Sequence, residues 1–319
     1  MSIHQIPIFQ KLEDSKTILL AGAGGGFDVY AAIPLYFSLK AQGKKVVLAN
    51  LSFTFLPETT SEKVAPYCYK IQAGDRDLSQ RNYFPEKYLK LWFIMNGETV
   101  DVYAFENTGV NPLKNAYNFL IKEHEIDSVV LVDGGTDSLM FGDEEGLGTP
   151  QEDMCSIAAV HRSRASKKYL LSIGFGIDHF HGVSHYRFLE NVAEIMKTGG
   201  YLGAFQLTKE MEAARKYIEA INFANERMPS RKSIVSNSIV SSLEGEYGDY
   251  HRINRTEGSQ LWINPLMTIY WCFELNTIIR KIKYYDYIKD VNSISEFKGQ
   301  LSKYRNQLNS IREKKDLPI

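Results

Sequence analysis

The sequence predicts an α/β protein of Rossmann-like type: a mostly parallel sheet flanked by helices, with a C-terminal α+β elaboration. Three observations carry this. Short β-rich runs alternate with amphipathic segments through the first two-thirds of the chain, the pattern of a parallel sheet wrapped by crossover helices. The runs at 46–49 and 129–132 are continuously apolar, as strands covered on both faces are. The first strand also runs straight into a glycine cluster, and a helix pattern begins at Asp28.

Taken in order, strands are expected at 17–22, 45–50, 67–72, 99–105, 127–132 and 168–174. Helices are expected at 28–42, 85–95, 112–124, 150–163 and 184–198. After residue 200 the pattern changes to a charged helix at 208–227, a serine-rich stretch at 233–242 and a glycine-bearing loop. An aromatic β-like run at 261–279 and a lysine-rich helix at 294–313 complete the chain. With no low-complexity linker or internal repeat, residues 1–319 read as one domain, with its core at about 15–205 and the elaboration at about 206–319. The aromatic run (Trp262, Tyr270, Trp271, Phe273) is expected to build core or a homodimer contact, and the basic terminal residues a solvated face.

Composition narrows the class. A chain of 319 residues with 44% hydrophobic and 24% charged residues is that of an ordinary globular protein. A net charge of -1 gives no general pull towards nucleic acid. Three distant cysteines offer neither a disulfide framework nor a metal knuckle, which fits a reducing compartment. No signal-peptide pattern or bilayer-length apolar run is seen, so a cytoplasmic protein without a membrane partner is expected.

Four loops carry polar chemistry. The first holds Gly22, Gly24, Gly25 and Gly26, with Phe27 where the dinucleotide fingerprint needs glycine and no Gly-Lys-Ser/Thr ending for a P-loop. The second strand ends in Asn50, Leu51 and Ser52 without the acid that would hold a ribose hydroxyl. The loop therefore reads as a general phosphate or carboxylate cradle at Gly24, Gly25 and Gly26, with Asp28 at its rim or as a helix N-cap.

The second loop follows an apolar strand directly and reads Asp133, Gly134, Gly135, Thr136, Asp137. Asp143, Glu144 and Glu145 come next. Acids at the carboxyl end of a strand can hold a divalent cation, Mg2+ among them, or act as general bases. Thr149 and Pro150 form an N-cap and N1 pair, with Glu152 and Asp153 as first-turn helix residues.

The third loop runs from Gly174 to His185 and gathers Asp178, His179, His181 and His185 as acid/base or metal-binding candidates. Ser184 reads as a helix N-cap. The fourth spans 244–252, with two glycines, acids and a basic pair able to close over a ligand. Ser236 and Asn237 before it are ligand-contact candidates, and no Gly-x-Ser-x-Gly nucleophile elbow occurs.

The stretches 21–29, 133–137, 142–150 and 174–178 together resemble a bacterial and archaeal family of unknown function. The resemblance implies a shared fold and site and no particular reaction. After Asp178 this chain has His179, Phe180 and His181 where glycine and acid are expected in relatives, which separates the histidines from any shared role.

These readings converge on an enzyme acting on a nucleotide, nucleoside or phosphorylated sugar by hydrolysis or group transfer. Asp133, Asp137, Asp178 and His179 would be catalytic. Gly24, Gly25, Gly26, Asp28, Gly134, Gly135, Thr136, Glu145 and Asn237 would bind substrate or phosphate. Asp133, Asp137 and His181 are the metal candidates. The alternatives are an NAD(P)-dependent enzyme with an irregular glycine loop, or a non-catalytic nucleotide-binding sensor or interaction protein.

Overall fold

A computed structural model describes residues 5–79 and 81–317. Helix α1 (Pro7–Leu12) precedes β1 (Thr17–Gly22), and a 3-10 segment (Asp28–Ala32) leads into α2 (Ile33–Ala41) and β2 (Lys45–Ser52). A hairpin of β3 (Glu62–Ala65) and β4 (Cys68–Ile71) is followed by α3 (Pro85–Met95), β5 (Val102–Glu106), α4 (Val110–Glu123) and β6 (Ser128–Asp133). Then come α5 (Pro150–His161), β7 (Lys167–Ser172), α6 (His185–Lys197), β8 (Tyr201–Gln206), α7 (Glu212–Arg227) and α8 (Ile234–Glu244). The last elements are β9 (Ile269–Glu274), α9 (Leu275–Ile279), α10 (Tyr285–Ile288) and α11 (Ile294–Arg305).

The strands form one nine-stranded sheet in the order β3-β4-β5-β2-β1-β6-β7-β9-β8. Its centre, β5-β2-β1-β6-β7, is wholly parallel. Both flanks are antiparallel: β4 on β5 with β3 beyond it, and β9 inserted between β7 and β8. The α/β class expected from the alternation is the class observed.

Side-chain alternation along the central strands divides the interior into two cores. Leu19, Ala21, Val47, Ala49, Val129 and Leu131 face one, with α4, α5 and α11 over them. Ile18, Leu20, Val46, Leu48, Val130 and Val132 face the other, beneath α2, α3 and α7. Helix α4 shows why such segments are helical: Val110, Leu113, Ala116, Tyr117, Leu120 and Ile121 form a single buried stripe.

The chain winds from β1 outward through β2 to β5, then returns to β6 on the other side of β1. Such a reversal leaves a crevice beyond the carboxyl ends of β1 and β6, where doubly wound sheets bind ligands. Gly22 and Asp133, the last residues of these strands, both stand at that crevice.

Several elements depart from expectation. The region 28–42 begins as a 3-10 segment, and only Ile33–Ala41 is α-helical. The serine-rich stretch is helix α8, with Ser233 as N-cap and Ser236, Ser238 and Ser241 buried. Strands β3 and β8 escape the sequence pattern, since one is largely exposed and the other holds a glycine at φ +86°. The aromatic run holds β9, whose Tyr270, Cys272 and Phe273 are core residues. The terminal helix stops at Arg305. No described helix is long and apolar enough to cross a membrane.

Candidate functional site

A cleft of about 600 Å³ opens at the crevice between β1 and β6. Gly24, Gly25, Gly26 and Asp28 come from the loop after β1, and Asp133, Gly134 and Asp137 from the end of β6. Thr149 and Asp153 lie at the start of α5, Asp178 and His181 beyond β7, and Arg231 and Ser233 before α8. Five aspartates from four separate segments therefore share one cavity.

Each carboxylate is held differently. Asp28 Oδ2 accepts the Gly24 N–H at 2.6 Å. Gly24 sits so close to the acids that a Cβ there would overlap Asp153 Oδ1 and lie 2.9 Å from Asp28 Oδ2. Gly25 adopts φ +95°, a conformation that favours glycine and carries the chain back under Asp28. The anion cradled by this loop is thus the protein's own carboxylate. The Gly26 N–H is taken by the Leu51 carbonyl at 3.2 Å. Asp28 is no N-cap either: Phe27 occupies that position without a side-chain cap.

Asp133, the last residue of β6, accepts from the Ser138 hydroxyl. Asp137 accepts the Thr149 N–H at 2.8 Å and the Thr149 hydroxyl at 3.1 Å. Thr149 and Pro150 do occupy the expected N-cap and first helical positions of α5, but the Thr149 hydroxyl donates to Asp137 and makes no cap bond. Asp178 accepts the Thr136 N–H at 2.6 Å and its hydroxyl at 3.1 Å.

Asp153 is the residue that sequence reasoning missed. Expected as a first-turn helix acid, it is only 2% exposed, lines the cleft and carries an Oδ1 with no hydrogen-bond partner. It opens the run 154–160, whose residues are all buried, so an acid there has little water to face. One oxygen each from Asp28, Asp133 and Asp153 lie within 4.8 Å of one another. Of the expected metal candidates, only Asp133 belongs to this group.

Crowding of like charges away from water governs the electrostatics. Burial, then the charge of Asp137, pushes Asp133, Asp153 and Asp178 well above the usual carboxylate range. Burial lifts Asp28 to about 7 against the pull of the Gly24 amide. Asp137 is also raised by burial, opposed by its Thr149 hydrogen bonds. Together the five form a cluster that cannot all ionise at neutral pH without compensation.

Positive charge also lines the cleft. Arg81, Arg231 and Arg255 line the same cleft from loops, and all three are exposed. Arg255 Nη1 donates to the Lys232 carbonyl at 2.5 Å, and the Arg81 guanidinium lies 5.4 Å from the centre of the Phe55 ring. Phe53, 47% exposed, stands beside Gly25 and Gly26 at the cleft edge.

Other expected site residues lie elsewhere. Thr136 and Gly135 pack behind Asp178 and do not line the cleft. His179 is exposed, its ring 5.3 Å from that of His185. His185 sits against Phe175 and Trp262, and burial lowers its pKa to about 4. Asn237 is only 1% exposed and bonds to Asn225 and the Ser233 carbonyl. Ser236 is buried and its N–H bonds to the N-cap hydroxyl of Ser233. Ser184 does cap α6, accepting the Arg187 N–H at 3.4 Å. In the fourth loop, Glu244 is paired with Arg252.

Glu145 accepts the Lys314 N–H at 2.7 Å, away from the cleft. Asp143 and Glu144 pair with Arg312 at 2.8 and 2.5 Å. The acidic run 143–145 and part of the basic terminus are thus partners: Arg305 and Arg312 tether the tail, while Lys303, Lys314 and Lys315 are exposed as expected.

Comparison with known proteins places the chain in a family without supplying a reaction. No curated protein matches it. A family model described as "Protein of unknown function (DUF1152)" matches residues 59–307, a span that includes Asp133, Asp137, Asp153, Asp178 and the three cleft arginines and begins after the glycine loop. The chain belongs to this family of proteins of unknown function, DUF1152.

Proposed function

We propose that the protein is an enzyme acting on a nucleotide, nucleoside or phosphorylated sugar, by hydrolysis or group transfer with carboxylate acid/base chemistry. One observation carries the reading: five aspartates and Arg81, Arg231 and Arg255 line a single cleft at the switch point of the sheet. Guanidinium groups suit phosphate oxygens. Carboxyls held above their usual range can retain a proton at neutral pH and give it to a leaving group, and ionised neighbours can take one from an attacking hydroxyl or water.

The phosphate belongs with the arginines, because the Gly24 and Gly26 amides already hold Asp28 and the chain. Phe53 offers an aromatic face for a base or sugar at the cleft edge. Asp178, fixed by two donations from Thr136, is the best-positioned acid/base group. A nicotinamide dinucleotide has less support. At the end of β2, buried Asn50 turns under the loop to the Gly26 carbonyl and Glu86 and offers nothing to a ribose.

The test is a panel of nucleotides, nucleosides and phosphorylated sugars, screened for phosphate or base release and for transfer to an acceptor. Asp178→Asn should lower kcat by 100-fold or more with the fold intact, in line with loss of a general acid or base. Arg255→Ala should chiefly raise KM. The proposal fails if no member of the panel binds or turns over, or if Asp133→Asn and Asp178→Asn both react at the wild-type rate.

A further inference from the structure

We infer that Asp28, Asp133 and Asp153 form a binding site for one hard divalent cation of the Mg2+ or Mn2+ class. The site lies in the same cleft and rests on its reading as a working site, but its geometry and its test need no substrate. The three carboxylates come from the loop after β1, the end of β6 and the first turn of α5, so the tertiary fold assembles them.

Geometry is the first support. The three oxygens lie within 4.8 Å of one another. Opposite ligands of a cation are about 4.2 Å apart for Mg2+ and about 4.8 Å for Ca2+, from metal–oxygen distances near 2.1 and 2.4 Å. Three oxygens no farther apart than this could meet at one hard cation, with water completing its shell. The group contains no histidine or cysteine, which argues for an oxygen-loving ion and against zinc.

The second support is independent of the clustering. Asp153 is 2% exposed and its Oδ1 has no hydrogen-bond partner. That oxygen projects over the α-carbon of Gly24, into the space flanked by Asp28 Oδ2. A buried carboxylate oxygen without a donor is costly, and such groups in folded proteins ordinarily have a partner. Hydrogen bonds explain Asp28, Asp137 and Asp178, but nothing in the protein satisfies Asp153. A cation does so, and it also removes the repulsion with Asp28 and Asp133. Ser156, whose hydroxyl donates to the Ala23 carbonyl at 2.6 Å, fixes α5 to the loop that carries Gly24 and so keeps the gap open.

The experiment is a titration of the full chain with Mn2+ alone, read by the loss of the free hexaaquo signal in electron paramagnetic resonance at pH 8. One saturable site per chain is expected. Asp153→Asn and Asp133→Asn should each weaken it at least 10-fold, whereas Glu212→Gln on the exposed start of α7 should leave it unchanged. Circular dichroism verifies that the variants are folded. Absence of saturable binding in the millimolar range, or unchanged binding in both aspartate variants, overturns the site. Bound Mn2+ without turnover of any phosphorylated compound would remove the proposed reaction and leave the cation. Turnover without Mn2+ binding would do the reverse.

Discussion

Replacing Asp28 with asparagine should stabilise the protein, and by more as the pH rises. Asp28 keeps partial access to the cleft, yet its carboxyl is pushed from an ordinary 3.8 to about 7, mainly by burial, with Asp137 adding repulsion. In the unfolded chain the group titrates near its ordinary value. Between these two values the folded state holds a proton that the unfolded state has released, so stability must fall as pH climbs through the window. At about 1.4 kcal/mol per pH unit, the full penalty is roughly 4 kcal/mol above pH 8 and vanishes near pH 4. Asparagine preserves an oxygen to accept the Gly24 N–H and has no charge to lose.

The assay is thermal unfolding of wild type and Asp28→Asn from pH 4 to 8 in chelator-treated buffer, since a bound cation would mask the effect. Wild type and variant should melt together at pH 4. By pH 8 the variant should lead by about 4–8 °C, taking roughly 2 °C per kcal/mol for a chain of this size and most of the calculated penalty. Asp133, Asp153 and Asp178 contribute in the same direction to both proteins, so the informative quantity is the gap between the curves. A gap that stays constant with pH, or a wild type more stable than the variant at pH 8, would refute the reasoning.

Two further perturbations test the packing around the acids. Gly24 has no positive φ, so alanine is tolerated by its backbone and acts only through its Cβ, which would overlap Asp153 Oδ1. Gly24→Ala should cost about 1–3 kcal/mol of stability by overpacking and weaken Mn2+ binding. A variant with wild-type melting and Mn2+ affinity would show the contact to be slack. Arg312→Ala should cost roughly 3 kcal/mol, because it leaves Glu144, 1% exposed, as a buried charge without its cation. Arg312→Met combined with Glu144→Gln should recover most of that loss in urea unfolding, and failure to recover would locate the cost elsewhere in the tail.

The sheet was legible because its central strands are buried on both faces and so announce themselves as apolar runs. Asp133 and Asp178 were legible for the same reason, as acids soon after such runs. Asp153 was hidden by an ambiguity of position: an acid in the first turn of a helix is favourable on its own account. Its burial follows from α5 being covered by α4, α9 and α11, a tertiary fact that no local pattern contains. The arginines could not be read at all. Arg81 precedes α3, Arg231 joins α7 to α8, and Arg255 lies in a 3-10 turn, so no shared periodicity links them. The acidic run 143–145 misled for the opposite reason, since its partners Arg305 and Arg312 lie more than 150 residues away in the chain.

The glycine loop ties these results together. A loop after the first strand of a doubly wound sheet ordinarily offers its amides to a ligand phosphate. Here the Gly24 amide holds Asp28, which turns an anion-binding device into a support for a carboxylate. The cleft therefore gathers five carboxyl groups together with the guanidinium groups of Arg81, Arg231 and Arg255. A bare phosphate would meet repulsion from ionised aspartates, and a bare cation would gain nothing from the arginines. On the proposed reading, a phosphate bridged to a divalent cation would satisfy the arginines and the carboxylates at once.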